Sequence, residues 1–114
     1  MKKTAARVAL AIAGVGVVIG SAPAFAVTAS TTGSTAWSDD GYTFYVKDTK
    51  ADSRSAYGQY TRIANTGEVR TLWNKSGSGT TVSTTTDSPI WQIRACRQEQ
   101  FASDSCSSWV IQIG

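Results

Sequence analysis

From Gly41 onward, apolar residues recur at every second position in short runs, and each run is cut by turn-forming residues. A period of two sends alternate side chains to opposite faces of an extended chain. Tyr42, Phe44 and Val46 oppose Thr43, Tyr45 and Lys47. Val69, Thr71 and Trp73 share one face of the run 68–75. Trp91, Ile93 and Ala95 oppose Gln92, Arg94 and Cys96, and Trp109, Ile111 and Ile113 alternate with Ser108, Val110 and Gln112. The runs 56–63, with Tyr57, Tyr60 and Ile63, and 80–86, Thr-rich around Val82, bring the number to six. Between them lie Asp, Ser, Gly, Asn and Pro, the residues of tight turns, as in Ala64-Asn65-Thr66-Gly67, Ser76-Gly77-Ser78-Gly79 and Asp87-Ser88-Pro89. No window beyond the first 26 residues sustains an apolar period of 3.6, so helix is not expected. Six strands with hairpin-length connections predict an all-β domain over 41–114, a small antiparallel β-sandwich or barrel.

The first 26 residues are of another kind. Lys2, Lys3 and Arg7 precede an uncharged apolar and glycine stretch from Val8 to Gly20, and the segment ends in Ala24-Phe25-Ala26. A positive start, a short apolar run and an Ala-x-Ala site predict a signal peptide cleaved after Ala26. A membrane-spanning helix needs about 20 apolar residues, and this run is shorter and interrupted by glycines. Cleavage removes three of the 11 basic residues, leaving eight against 8 acidic ones and a neutral, mixed surface on an expected secreted, extracellular product. Nucleic-acid and anionic-membrane binding need a concentrated positive field, so neither partner is expected for the mature form.

A mature chain of this size buries too small a fraction of its surface to be stable with a wide margin. Cys96 and Cys106 are the 2 cysteines, and in an oxidising compartment they have one intramolecular pairing. The closed loop is expected to stabilise by about 2.5–3 kcal/mol. The chain has no histidine. That removes the commonest general base and metal ligand, so no catalytic triad, zinc site or cofactor is expected. Asp39 and Asp40 are neighbours that point to opposite faces and make a poor acid–base pair, and Asp48 and Asp52 do not have a calcium-loop spacing.

Residues 27–40 lack the alternating bulk of a core strand. Val27, Thr28, Ala29, Ser30, Thr31, Thr32, Gly33, Ser34, Thr35, Ala36, Trp37 and Ser38 are small and uncharged apart from one aromatic. They are expected to form a flexible N-terminal arm, either a disordered leader or a segment that orders by strand addition to a partner. The 4 tryptophans and 4 tyrosines are many for so short a chain. Trp91 and Trp109 alternate with polar residues as core side chains do. Trp37, Tyr45, Tyr60 and Trp73 are the candidates for an aromatic surface that meets a protein or a sugar.

The Ala-x-Ala leader, the Thr/Ser/Gly-rich start and the pattern Trp91-x-x-Arg94-x-Cys96 with Cys106-Ser107-x-Trp109-Val110 resemble the small secreted one-domain proteins of actinobacteria. Among these the chain is most similar to the adaptor subunits of umbrella toxin particles. The resemblance implies an adaptor between a lectin-like subunit, engaged by residues 27–38, and a repeat-containing toxin subunit, met by the β-domain. Its expected activity is binding other secreted proteins without catalysis. A secreted inhibitor of an extracellular hydrolase is the competing reading, with Arg97 or Phe101 of the loop 97–105 as anchor. Carbohydrate or cell-surface binding stands behind it.

Overall fold

The structure is a computed structural model that describes residues 26–112. The signal-peptide expectation for 1–26 and the end of the last run at Ile113 fall almost wholly outside those residues. Among these residues nine strands form: β1 (Val27–Thr31), β2 (Ser34–Ser38), β3 (Thr43–Asp48), β4 (Ala56–Arg62), β5 (Asn65–Asn74), β6 (Thr81–Thr85), β7 (Ile90–Arg97), β8 (Ser105–Cys106) and β9 (Val110–Ile111). They build two antiparallel sheets, ordered β1-β2-β3-β6 and β5-β4-β7, with β8 and β9 pairing the outer edge of β7. The all-β class and the Cys96–Cys106 disulfide agree with the sequence.

The apolar core lies between the sheets. Ala29, Ala36, Phe44 and Val46 come from one side, and Ala56, Tyr60, Ile90, Ile93 and Ala95 from the other. Two contacts close it. Gly58 of β4 faces Phe44 and Val46 so closely that a Cβ there would stand 2.6 Å from Phe44 Cζ and from Val46 Cγ2. The Phe44 ring therefore occupies the space a side chain at 58 would need. Asn74, fully buried at the end of β5, bridges the sheets. Its Nδ2 donates to the carbonyls of Val46 (3.1 Å) and Thr80 (2.8 Å). Its Oδ1 accepts from Ser76 N (3.0 Å) and the Thr80 hydroxyl (3.1 Å), so the amide is fully used.

Residues 27–40 are not an arm. Val27–Ser38 form a hairpin around the two-residue turn Thr32–Gly33, and β2 pairs with β3 in continuous register from Ser34↔Asp48 to Trp37↔Tyr45. No boundary separates 27–40 from the β-domain. The inward positions are Ala29, Ser34, Ala36 and Ser38, all buried. Small inward side chains let this edge lie close to β7, which the sequence pattern presented as lack of bulk. Gly33 completes the fit: its φ of +85° is left-handed, and a Cβ would come within 2.7 Å of Arg97 Cδ.

Other expectations need correction. Tyr60, taken as a surface aromatic, is 4% exposed and packs on Phe44 with ring centroids 4.9 Å apart. Trp91, taken as core, is exposed, because a register shift where Thr61 and Arg62 meet β7 breaks the alternation. The β4–β5 turn is Ile63–Ala64, since Arg62 already pairs with Asn65. The last run is broken by Ser107, whose amide and hydroxyl both bond to Ala95 backbone, leaving two short strands.

Gly58→Ala is expected to destabilise by about 1–3 kcal/mol through overpacking. Asn74→Ala should cost about 2–3 kcal/mol by leaving buried backbone groups unpaired. Asn74→Asp should cost more, because it aims an oxygen at two carbonyls. Urea unfolding of the three variants measures each effect, and an unchanged midpoint for Gly58→Ala would contradict the close approach.

Candidate functional site

At the end of the sandwich where β7 finishes, Cys96 and Cys106 are directly paired residues joined by the disulfide. The enclosed loop is tied down by charged groups. Arg97, its side chain only 12% exposed, donates from Nη1 to Asp52 (3.0 Å) and from Nη2 to Glu99 (2.8 Å). Arg54 donates to the other Glu99 oxygen at 2.8 Å. Ser105 Oγ also donates to Glu99, and Glu99 N donates to Asp104 at 3.2 Å. Tyr57 donates its phenol hydrogen to Asp104. Two loops, 49–55 and 98–104, are thus fastened to the ends of β4 and β7.

Two of these groups have shifted proton affinities. The Ser105 hydroxyl, and then Arg97, hold the Glu99 carboxyl below the usual carboxylate range. Burial, reinforced by the hydrogen bond to Asp104 and its charge, pushes the Tyr57 phenol up to about 12. Both shifts lead away from neutrality, so neither group exchanges a proton near pH 7. The arrangement positions a loop.

What it positions is Phe101. At the loop tip this ring is 99% exposed. Phe101 sits between the fastened residues Glu99 and Asp104, and an aromatic is the residue type that anchors protein interfaces. The sequence named Phe101 beside Arg97 as an anchor of the inhibitor reading. Arg97 is committed to the network, whereas Phe101 is free.

The outward faces carry the remaining aromatics. On the β5-β4-β7 sheet, Tyr57 and Trp73 are cross-strand partners with ring centroids 4.3 Å apart, and Lys75 Nζ stands 5.1 Å from the Trp73 ring. Arg94 lies over Trp109 at 4.7 Å while donating twice to Gln59 Oε1. Trp109, taken as core, is therefore a half-buried outer residue. Trp73 remains 39% exposed, next to exposed Val69 on the same face. On the other sheet Trp37 and Tyr45 pair across β2 and β3, rings stacked at 5.2 Å and 11°. Each ring covers one face of the other.

The opposite end has its own apolar surface. Exposed Tyr42 and Ile63, with Pro89 and Ile90, surround a pocket of about 110 Å3. Several acids are spent on structure. Asp40 accepts from Tyr42 N and Thr43 N, both at 2.8 Å, which holds its carboxyl below its ordinary range. Asp48 caps Lys50 N and Asp52 caps Arg54 N. Among the described residues no group of three His, Cys, Asp or Glu is placed to hold a metal ion. Strand pairing sets the geometry of the two ends, since Ala56↔Arg97 lies at the Phe101 end and Arg62↔Ile90 at the other. The seven residues of β4 separate them by about 20 Å.

Nothing in the sequence placed the pocket, because its lining comes from turns distant in the chain. The chain matches no protein-family model, no curated protein and no solved structure.

Carboxyls with depressed values stabilise the fold while ionised. Asp40, Glu68 and Glu99 all titrate below their unfolded values. Their contribution is complete above the ordinary carboxylate range and is lost as the pH falls below about 4. Urea midpoints are expected to be level from pH 7 to 5 and to drop toward pH 3. Glu99→Gln should flatten part of that drop, and an unchanged slope would remove Glu99 from the account.

Proposed function

We propose that the protein is a secreted, non-catalytic adaptor that binds two other proteins of an extracellular assembly at once. The observation that carries this reading is the placement of unpartnered apolar groups at opposite ends of one rigid sandwich. Phe101 projects at one end, and the Tyr42–Ile63 surface lies at the other. An inhibitor needs one such surface, whereas a linker needs two that do not overlap. The likeness of the leader and the cysteine–tryptophan pattern to umbrella toxin adaptors suggests a lectin-like subunit and a repeat-containing toxin subunit as the partners. Residues 27–38 would then contribute as the folded edge of a sheet.

Tyr57 and Glu99 are both shifted away from neutrality, which supports a binding role for this end over acid–base chemistry. The second reading is inhibition of a secreted hydrolase, and the specific observation in its favour is Phe101 on a disulfide-closed loop.

The test is a pull-down with the tagged mature protein from the producer's culture supernatant, beside Phe101→Ala. Deleting 27–38 would remove two strands, so a point change is the cleaner probe. Wild type should retain two larger secreted proteins together, and Phe101→Ala should lose one by tenfold or more while keeping the other and an unchanged Tm. A single retained hydrolase, inhibited by the pure protein alone, would replace the adaptor with the inhibitor.

A further inference from the structure

β6 ends its sheet: its one neighbour among the described strands is β3. Two backbone bonds fix which of its peptide groups face that neighbour. Asp48 N donates to Thr80 O at 3.1 Å, and Thr86 N donates to Tyr42 O at 2.8 Å. In an antiparallel pair, residues that exchange such bonds alternate with residues that do not. The register Val46↔Val82 and Phe44↔Thr84 lies between those two bonds and in phase with them. Thr80, Val82, Thr84 and Thr86 therefore direct their N–H and C=O groups at β3. Thr81, Ser83 and Thr85 turn theirs the other way, where no described strand meets them. The Thr84 hydroxyl, 3.5 Å from Thr85 O, is the one hydrogen bond to that row among the described residues.

Open edges of sheets are commonly blunted by charge, proline or a bulge. β5, the edge of the other sheet that β6 packs on, has such devices. Glu68 and Arg70 stand in it, and its pairing with β4 slips between Tyr60 and Arg62. β6 has none. From Thr80 to Thr86 the chain carries no charge, proline or glycine, and the ladder with β3 runs unbroken from Thr43↔Thr85 to Lys47↔Thr81. Thr81, Ser83 and Thr85 are exposed and small.

We infer that β6 pairs with β6 of a second copy of this chain, antiparallel about a two-fold axis at Ser83. The open row is its own complement. With Ser83 opposite the partner's Ser83, Thr81 meets the partner's Thr85 and Thr85 meets the partner's Thr81. All three pairs then fall in the bonded phase of the new ladder, each exchanging two N–H···O=C bonds. Charge does not oppose the contact. Lys47, the one charge in the paired stretch 43–47 of β3, stands beside Thr81, and that row continues to the partner's Thr85 and Thr43. The two Lys47 ammonium groups thus lie in different rows. At the axis the small serines sit between the two Trp37–Tyr45 stacks. The assembly goes beyond the adaptor reading, because it presents each end of the sandwich twice.

A strand of 5 residues on each side buries less than the roughly 1,000 Å2 of a stable interface, so a weak dimer with a Kd on the order of 0.1 mM is expected. Sedimentation equilibrium of the mature protein across that concentration should show reversible monomer–dimer exchange. Ser83→Pro removes an N–H that points away from β3, at a place where an edge strand tolerates proline. It should raise the Kd by about tenfold or more, two hydrogen bonds being lost at the axis, with the Tm of the dilute protein little changed. Ser83→Lys sets like charges face to face and should weaken the dimer in a salt-dependent way. Ser83→Cys reads the register: its thiols meet at the axis and should cross-link on mild oxidation far faster than those of Thr81→Cys. A chain that stays monomeric, or grows past the dimer, overturns the proposal. So does a Ser83→Pro variant that dimerises as tightly as wild type or loses Tm when dilute, and so does equal cross-linking of the two cysteine variants. None of these outcomes touches Phe101, so the pull-down remains a separate test of the adaptor.

Discussion

The separation of the two sheets is set where Phe44 and Val46 lie against Gly58. Four of the nine buried core residues are alanines, so the core cannot be filled by bulk. It is filled by bringing the backbones together. One ring, from Phe44, enters the space left by a missing Cβ, and Tyr60 tilts against it from the facing sheet. The same economy runs through β1 and β2, whose buried positions are Ala and Ser. Where the sheets part company, at the end of β5, Asn74 replaces apolar contact with hydrogen bonds, three of which reach across to Val46 and Thr80. The disulfide then fixes the last element, which has only two short strands to hold it to β7.

How much of this could be read in the sequence follows from that economy. β3 and β7 were legible because bulky side chains alternate with polar ones, and β4 and β6 because turn residues bound runs of β-forming Tyr, Thr and Val. The hairpin of 27–38 was not, because its inward residues differ from its outward ones by burial and hardly at all by hydrophobicity. Tyr60 is inward by plain alternation with Ala56 and Gly58, whose small size hid that face, while Trp91 changed face for a local reason. The register shift opposite Thr61 and Arg62 adds a residue on one strand, and parity along the chain ceases to predict the face beyond it. The outward grouping of Val69, Thr71 and Trp73 was legible as a grouping, but which side faced water depended on Leu72 being the residue that packs on the core. The candidate surfaces were legible only where chemistry is local. Phe101 stood out within its loop, whereas the Tyr42–Ile63 pocket is assembled from four separated segments.

The network around Glu99 joins fold and function. Arg54, Arg97, Ser105 and Asp104 belong to three stretches of chain, and each contact that stabilises the end of the sandwich also restricts the loop carrying Phe101. Opposite it, the turn at Asp40 performs the same service for the Tyr42 rim, through two backbone amides held by one carboxylate. The proposed binding elements are thus mounted on turns held by side-chain hydrogen bonds, with β4 and β7 running between them.

Cys96 and Cys106 face each other across a ladder pair, so the chain between them begins and ends at one fixed point on the scaffold. Residues 100–103 touch neither the core nor the other sheet. Their composition can change without altering the strands, which gives the molecule an exchangeable tip on an unchanging stem. Under the proposed binding role, chains with other residues there would keep the fold while presenting a different tip.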